Sequence, residues 1–158
     1  MYVNTKKSGQ VDFKEVGTMS RHETQTLLSL EASTKPLVMF VDDDPMILAS
    51  VNRQLARKLT FVDIVFCDGG ANALAEAAKR PPDVLFSDLR MPVMNGLVFL
   101  TEFSKRHPKA TRFAITGQLA ASELVELEPL VEQVFSKPID CVRLQEIIVS
   151  VISRPNEI

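Results

Sequence analysis

The chain has 158 residues, 46% of them hydrophobic, and a formal net charge of −2. That is room for one core of about 100 to 150 residues plus an extension, and the slightly acidic balance lacks the cationic excess that direct nucleic-acid binding draws on. No apolar run reaches the roughly 18 residues of a bilayer span, and the opening stretch MYVNTKKSGQVDF lacks the apolar centre of a signal peptide, so the chain is expected in the cytoplasm and away from membranes.

Residues 1–35 are expected to form an N-terminal extension, residues 36–153 a folded domain and residues 154–158 a short tail. The extension mixes Lys6, Lys7, Ser8 and Gly9 with scattered polar residues, and a helical pattern over 21–32 carries Leu27, Leu28 and Leu30. So short a helix is marginal in water without a packing partner. The segment therefore reads either as a solvated tail or as a docking or dimerisation arm.

From Pro36 the pattern becomes regular. Residues 37–41 read as a strand, then Asp44 supplies a helix cap and Pro45 the first helical position. Ile47, Val51, Leu55 and Leu59 follow at four-residue spacing, one stripe of a helix. A second strand over 61–67 is broken by Asp68, Gly69 and Gly70, and an alanine-rich helix through Leu74 and Ala78 ends at Arg80-Pro81-Pro82. Residues 84–87 form a third strand running into Asp88. A loop through Pro92 and Asn95-Gly96 leads to a helix with Leu97, Leu100 and Phe103, closed near His107-Pro108. Residues 112–115 are a fourth strand, 122–130 a short acidic helix and 131–136 a fifth strand. Asp140 caps a last helix in which Leu144, Ile147, Ile148, Val151 and Ile152 keep helical spacing. Cys67 and Cys141 lack disulfide-framework or zinc spacing and read as small core or helix-end residues; His22 and His107, far apart in polar stretches, support no metal site.

Alternating strands and helices imply right-handed βαβ units and a parallel sheet covered on both faces. The expected fold is α/β, a flavodoxin-like (βα)5 three-layer sandwich with strand order 2-1-3-4-5 and its switch point between the first and third strands. Short apolar runs bounded by turns are the mark of buried parallel strands, so the charged residues that end them emerge along one sheet edge. Asp42, Asp43 and Asp44 end the first run, Asp88 the third, Thr116 the fourth and Lys137 the fifth. Taken singly, each has a plain explanation: a helix cap, a solvated strand end, a turn residue, a surface charge. Their convergence at a ligand-binding edge is what makes them specific. Clustered carboxylates repel one another, and such a cluster suits a hard cation with oxygen ligands; magnesium, which needs only one or two direct carboxylates and completes its shell with water and phosphoryl oxygen, fits best.

The order of Asp42-Asp43, Asp88, Met91-Pro92, Asn95-Gly96, Thr116-Gly117 and Lys137-Pro138 resembles the receiver domain of two-component response regulators, the CheY-like family, over residues 36–152. The resemblance implies that Asp88 is the phosphoacceptor. It implies that Asp43, Asp88 and the backbone carbonyl of Arg90 ligate magnesium directly while Asp42 acts through water. Lys137 would supply a cation and Thr116 a hydroxyl to the phosphoryl group, with Leu89 and Gly117 at the phosphoryl-binding position and a cis peptide at Lys137-Pro138. Arg90 and Gln118, two residues beyond Asp88 and Thr116, would flank the approach of hydrolytic water, with Arg90 screening the phosphoryl group.

The implied function is a phosphoacceptor signalling domain, not an enzyme acting on an external substrate. A sensor histidine kinase or phosphotransfer protein would be the donor. An output domain, an effector protein or a second copy of the chain would receive the signal through the fourth helix, fifth strand and fifth helix. Whether the chain stands alone or is the receiver portion of a longer protein stays open. One departure is Val134, where receivers commonly carry Tyr or Phe three residues before the lysine. Another is the segment from Thr116 to Pro138, whose short acidic helix is similar to receivers tethered to HD-type domains. Two other readings compete. Haloacid-dehalogenase-type phosphatases also use aspartates after a first strand, but Met46 stands where they carry Thr or Val, and their core is larger. A pseudo-receiver would not need the intact set of Asp88, Thr116 and Lys137.

Overall fold

In the computed structural model the described residues are 35–154, and they alternate strand and helix throughout. The elements are β1 (Leu37–Val41), α1 (Pro45–Leu55), β2 (Asp63–Cys67), α2 (Gly70–Lys79), β3 (Val84–Asp88), α3 (Gly96–Arg106), β4 (Thr111–Thr116), α4 (Ala121–Leu127), β5 (Gln133–Ser136) and α5 (Cys141–Ile152). The strands form one parallel sheet in the order β2-β1-β3-β4-β5. The expected fold and strand order are both borne out. Every residue of β1 and β3 is buried, which explains why these strands read as unbroken apolar runs.

Side chains alternate between the two faces of the sheet. Met39, Val41, Leu85 and Ala114 point to one face, where α2, α3 and α4 contribute Leu74, Phe99, Phe103 and Leu127. Val38, Phe40, Phe86 and Phe113 point to the other, against Leu55 of α1 and Leu144 and Ile148 of α5. A row of phenylalanines crosses this second face, one per strand. Ring centroids are 5.5 Å apart for Phe66–Phe40, 4.9 Å for Phe40–Phe86, 5.0 Å for Phe86–Phe113 and 5.8 Å for Phe113–Phe135. Each such pair adds about 0.5–1.5 kcal/mol beyond area burial and couples neighbouring strands directly. Phe40 and Phe86 each stand two residues before an aspartate, Asp42 and Asp88, so the row anchors the two strands that carry the acids.

Caps and stops explain the boundaries. Asp44 accepts from the Met46 N–H at 2.8 Å with Pro45 following, Asn95 accepts from Leu97 N–H at 2.8 Å, and Asp140 accepts from Val142 N–H at 3.1 Å. The apolar stripe of α1 outruns the helix itself. Leu59 lies beyond Leu55 in a turn closed by the Leu59 N–H to Leu55 carbonyl bond, 2.9 Å, yet it is buried. β2 starts at Asp63, later than the apolar pattern, because Phe61 faces solvent and Val62 fills the core from a loop. α4 stops at Leu127, ahead of Pro129, which cannot extend a helix because it has no N–H to donate. Val131 and Glu132 precede the start of β5 at Gln133.

Cys67 and Cys141 are both free and buried, in line with a core role. Burial, then the charges of Glu76 and Asp68, push the Cys67 thiol up to about 11, which keeps it protonated and unreactive. The helix expected over 21–32 and His22 lie outside the described residues. No helix among the described residues is long and apolar enough to cross a membrane.

Candidate functional site

β1 is followed by β2 on one side of the sheet and β3 by β4 on the other, so the crevice at their carboxyl ends lies where the winding reverses. Asp42 directly follows β1 and Asp88 is the last residue of β3. The carboxylates of Asp42, Asp43 and Asp88 offer oxygens within 4.8 Å of one another, with Asp42 and Asp88 buried and Asp43 exposed. Lys137, just past β5, reaches across β4 to both buried acids. Its Nζ lies 2.8 Å from Asp42 Oδ2 and 2.9 Å from Asp88 Oδ2. Burial lowers the Lys137 pKa, but hydrogen bonds and charges from Asp42 and Asp88 outweigh that and leave the ammonium raised above its ordinary range.

The other oxygen of Asp88 is held by the backbone. Oδ1 accepts from the Leu89 N–H at 2.7 Å and from the Arg90 N–H at 3.3 Å. Asp42 Oδ1 accepts from the Asp44 N–H at 2.9 Å. Beneath the acids a cavity of about 370 Å3 lies between α1 and α5, walled by Leu48, Val51, Ile139 and Leu144. Lys137 shares that lining, and apolar surroundings on one side strengthen its attraction to the two carboxylates. The Lys137–Pro138 peptide bond is cis, as expected.

The loop after β3 folds back onto Asp88 because of Gly96. A Cβ at this position would collide with the Asp88 carbonyl oxygen and come within 2.5 Å of Leu89 Cα. The Gly96 N–H instead donates to the Leu89 carbonyl at 3.0 Å, closing the loop. Within it Val93 adopts a left-handed φ of 62° and is fully exposed, an unfavourable conformation for a β-branched residue.

The opposite wall of the site comes from β4 and α4. Thr116 is buried, and its hydroxyl donates to the Gln118 carbonyl at 2.9 Å rather than to Asp88. Gly117 is exposed, with open space where a Cβ would stand. Arg90 turns its guanidinium to Glu123 of α4, with Nη2 to Oε2 at 2.7 Å. The Glu123 carboxyl is held below the usual carboxylate range, first by the Ala120 backbone N–H and then by Arg90.

Residues 38–149 match the family described as response regulator receiver domain. The chain belongs to this family. The transcriptional regulator NtrC of Escherichia coli K12 is 42% identical over 73 residues, 46% of this chain and 15% of that protein. The transcriptional regulatory protein PrrA of Mycobacterium tuberculosis H37Rv is 38% identical over 68 residues, 43% of this chain and 28% of that protein. The chain thus spans less than a third of the length of these curated relatives. Among solved structures, the chemotaxis protein CheY4 of Vibrio cholerae shares the fold with a TM-score of 0.67 and 24% identity, over 75% of this chain and 99% of that one. The signal receiver domain of an HD domain-containing protein from Pseudomonas fluorescens Pf-5 gives a TM-score of 0.69 at 22% identity, over 75% and 94%.

In this receiver domain the residues singled out in the sequence fall together in part. Asp42, Asp43, Asp88 and Lys137 form one connected cluster, with the Leu89 and Arg90 amides on Asp88. Thr116 stands apart from that cluster in its bonding: it is buried, and its hydroxyl goes to the backbone carbonyl of exposed Gln118. Val134 is half-buried on the α2–α4 face while Phe135 packs on the opposite one, so the position usually held by a movable ring carries a short, stiff side chain. Glu123 escaped the sequence reading. The pattern that flags a helix start is Ser or Thr three residues before Glu, and here Ala120 holds the cap position.

Proposed function

We propose that Asp88 of this receiver domain accepts a phosphoryl group from a phosphohistidine on a sensor histidine kinase or phosphotransfer protein. The observation that carries the reading is the double restraint of Asp88, by the Leu89 N–H on Oδ1 and by Lys137 on Oδ2, beside a second buried carboxylate, Asp42. In the transfer a carboxylate oxygen of Asp88 forms a bond to phosphorus. The phosphorus–nitrogen bond of the donor breaks, and its electron pair stays on the imidazole.

The donor set of Asp42, Asp43 and Asp88, all hard oxygens within 4.8 Å, fits a small divalent cation. Magnesium would be held by Asp43, Asp88 and the backbone carbonyl of Arg90, with Asp42 acting through water. When bound, it supplies positive charge to the transferring oxygens. Lys137, already at Asp88, exchanges a carboxylate for a phosphoryl oxygen. Thr116 turns from the Gln118 carbonyl to the phosphoryl group, and the amides of Leu89 and Gly117 line that side.

Because Val134 cannot act as a swinging ring, the change passes through Thr116 and the segment 119–130 to the surface of α4, β5 and α5. An output domain, an effector protein or a second copy of the chain reads that surface. A phosphoryl group shifts the equilibrium only by its different contact energy in the two states, and Thr116 and Lys137 supply the difference. The setting proposed is the cytoplasm. Incubation with acetyl phosphate and magnesium tests the chemistry. The adduct formed is expected to be cleaved by hydroxylamine, as an acyl phosphate is. A hydroxylamine-stable adduct would place the phosphoryl group on another kind of side chain.

A further inference from the structure

α4 begins without a capping side chain. Its cap position is Ala120, whose backbone N–H donates to Glu123 Oε2 at 2.8 Å. The same oxygen accepts from Arg90 Nη2 at 2.7 Å. The backbone of Arg90 sits at Asp88, through the 3.3 Å bond of its N–H to Oδ1, yet its guanidinium is drawn over to α4. Nη2 also lies 3.5 Å from the Gln118 carbonyl, the group that holds the Thr116 hydroxyl. Two donors that can serve a phosphoryl group, Arg90 and Thr116, are thus both engaged on the β4–α4 side.

We infer that Glu123 is a positioning residue that holds the Arg90 guanidinium on α4 and thereby shortens the life of a phosphoryl group on Asp88. This rests on the reading of Asp88 as phosphoacceptor. Loss of the signal is hydrolysis. The oxygen of a water forms a bond to phosphorus, the bond from phosphorus to the Asp88 oxygen breaks with its electron pair left on the carboxylate, and the water's proton passes to solvent. A guanidinium laid on the phosphoryl oxygens covers the water's approach. One held by Glu123 leaves it open. Arg90 therefore divides between two anions, and the division follows their relative pull. The side chains of Arg90 and Glu123 are 50% and 28% exposed, so the pair is of the partly screened kind that shifts such a balance about two- to fivefold.

Glu123→Gln separates this role from helix capping, because the amide oxygen still accepts from the Ala120 N–H while the charge is gone. The wild type, E123Q, R90A and the double variant are loaded with acetyl phosphate and magnesium, freed of donor by rapid desalting, and followed by intact mass. E123Q is expected to lose its phosphoryl group about two- to fivefold more slowly than wild type. R90A is expected to be no slower than wild type, and the double variant to decay as R90A does. Decay of E123Q as fast as wild type overturns the inference, and so does a slowing that persists without Arg90, since that would be a structural effect of α4. Failure of the wild type to take up any phosphoryl group is a separate result. It would overturn the phosphoacceptor reading itself, and the inference with it.

Discussion

Gly96 and Asp88 are in such close approach that the backbone of the phosphoacceptor candidate occupies the space a Gly96 side chain would need. Alanine is the better helix former by about 1 kcal/mol, so on propensity alone Gly96→Ala at the start of α3 would stabilise. The collision is with backbone, which cannot step aside. Gly96→Ala is therefore expected to destabilise by about 1–3 kcal/mol in urea unfolding. Val93, in the same loop, should go the other way. Val93→Asn relieves the left-handed φ of 62° and is expected to raise stability by about 0.5–1 kcal/mol. Stabilisation by the alanine or loss with the asparagine would contradict this account of the loop.

Lys137 is the cation that lets Asp42 and Asp88 stay buried side by side. Lys137→Met keeps the stem and removes the charge. Without magnesium the variant is expected to lose about 1–3 kcal/mol at neutral pH, since two buried carboxylates are left facing each other. Millimolar magnesium should recover part of that loss, because a cation on the acids replaces the missing ammonium. An equal deficit with and without magnesium would separate the lysine from the candidate metal site. In the wild type the raised Lys137 pKa gives a contribution fully present below its ordinary value near 10.5 and lost as pH rises through the higher folded value.

His107 gives the acid-side prediction. Among the described residues its Nε2 is a buried polar atom without a hydrogen-bond partner, and its ring packs 4.8 Å from that of Phe103. Burial, then the charge of Arg106, lowers its pKa from the ordinary 6.5. The unfolded chain therefore takes up this proton at a higher pH than the folded one does. The contribution is present above about 6.5 and is lost as pH falls through the depressed folded value. Unfolding measured from about pH 7 down to pH 5 is expected to show a shallower loss of stability in His107→Gln than in wild type. Parallel curves would show that His107 plays no part.

Much of this architecture was legible in the sequence because parallel strands buried on both faces leave unbroken apolar runs, and the residues that end them must share one edge. Asp42, Asp43, Asp88 and Lys137 are legible on that ground, and the geometry joins them. What stayed hidden was set by tertiary contact. Arg90 and Glu123 are 33 residues apart, and nothing local marks them as partners. Asn95-Gly96 reads as a turn, while the need for glycine comes from the Asp88 backbone packed above it. Leu59 continues a helical stripe but is buried from a turn, because apolar spacing reports a buried side and not the hydrogen bonds that end a helix.

Variants at Val134 and Thr116 distinguish two routes by which the proposed signal could pass. Its half-buried side chain packs with the α2–α4 core, so Val134→Ala is expected to cost about 1 kcal/mol in stability. Beryllofluoride with magnesium should still shift the amide resonances of residues 117–130 in that variant. Thr116→Val, which removes the hydroxyl now bonded to Gln118, should weaken those shifts. Loss of the response in Val134→Ala with the adduct still formed would make Val134 the switch after all.

The most direct test of the whole account is intact mass after incubation with acetyl phosphate. With magnesium, the wild type should gain a single phosphoryl group, and the gain should vanish in Asp88→Asn and when the metal is chelated. Equal labelling of Asp88→Asn would contradict the assignment of Asp88 as the phosphoacceptor.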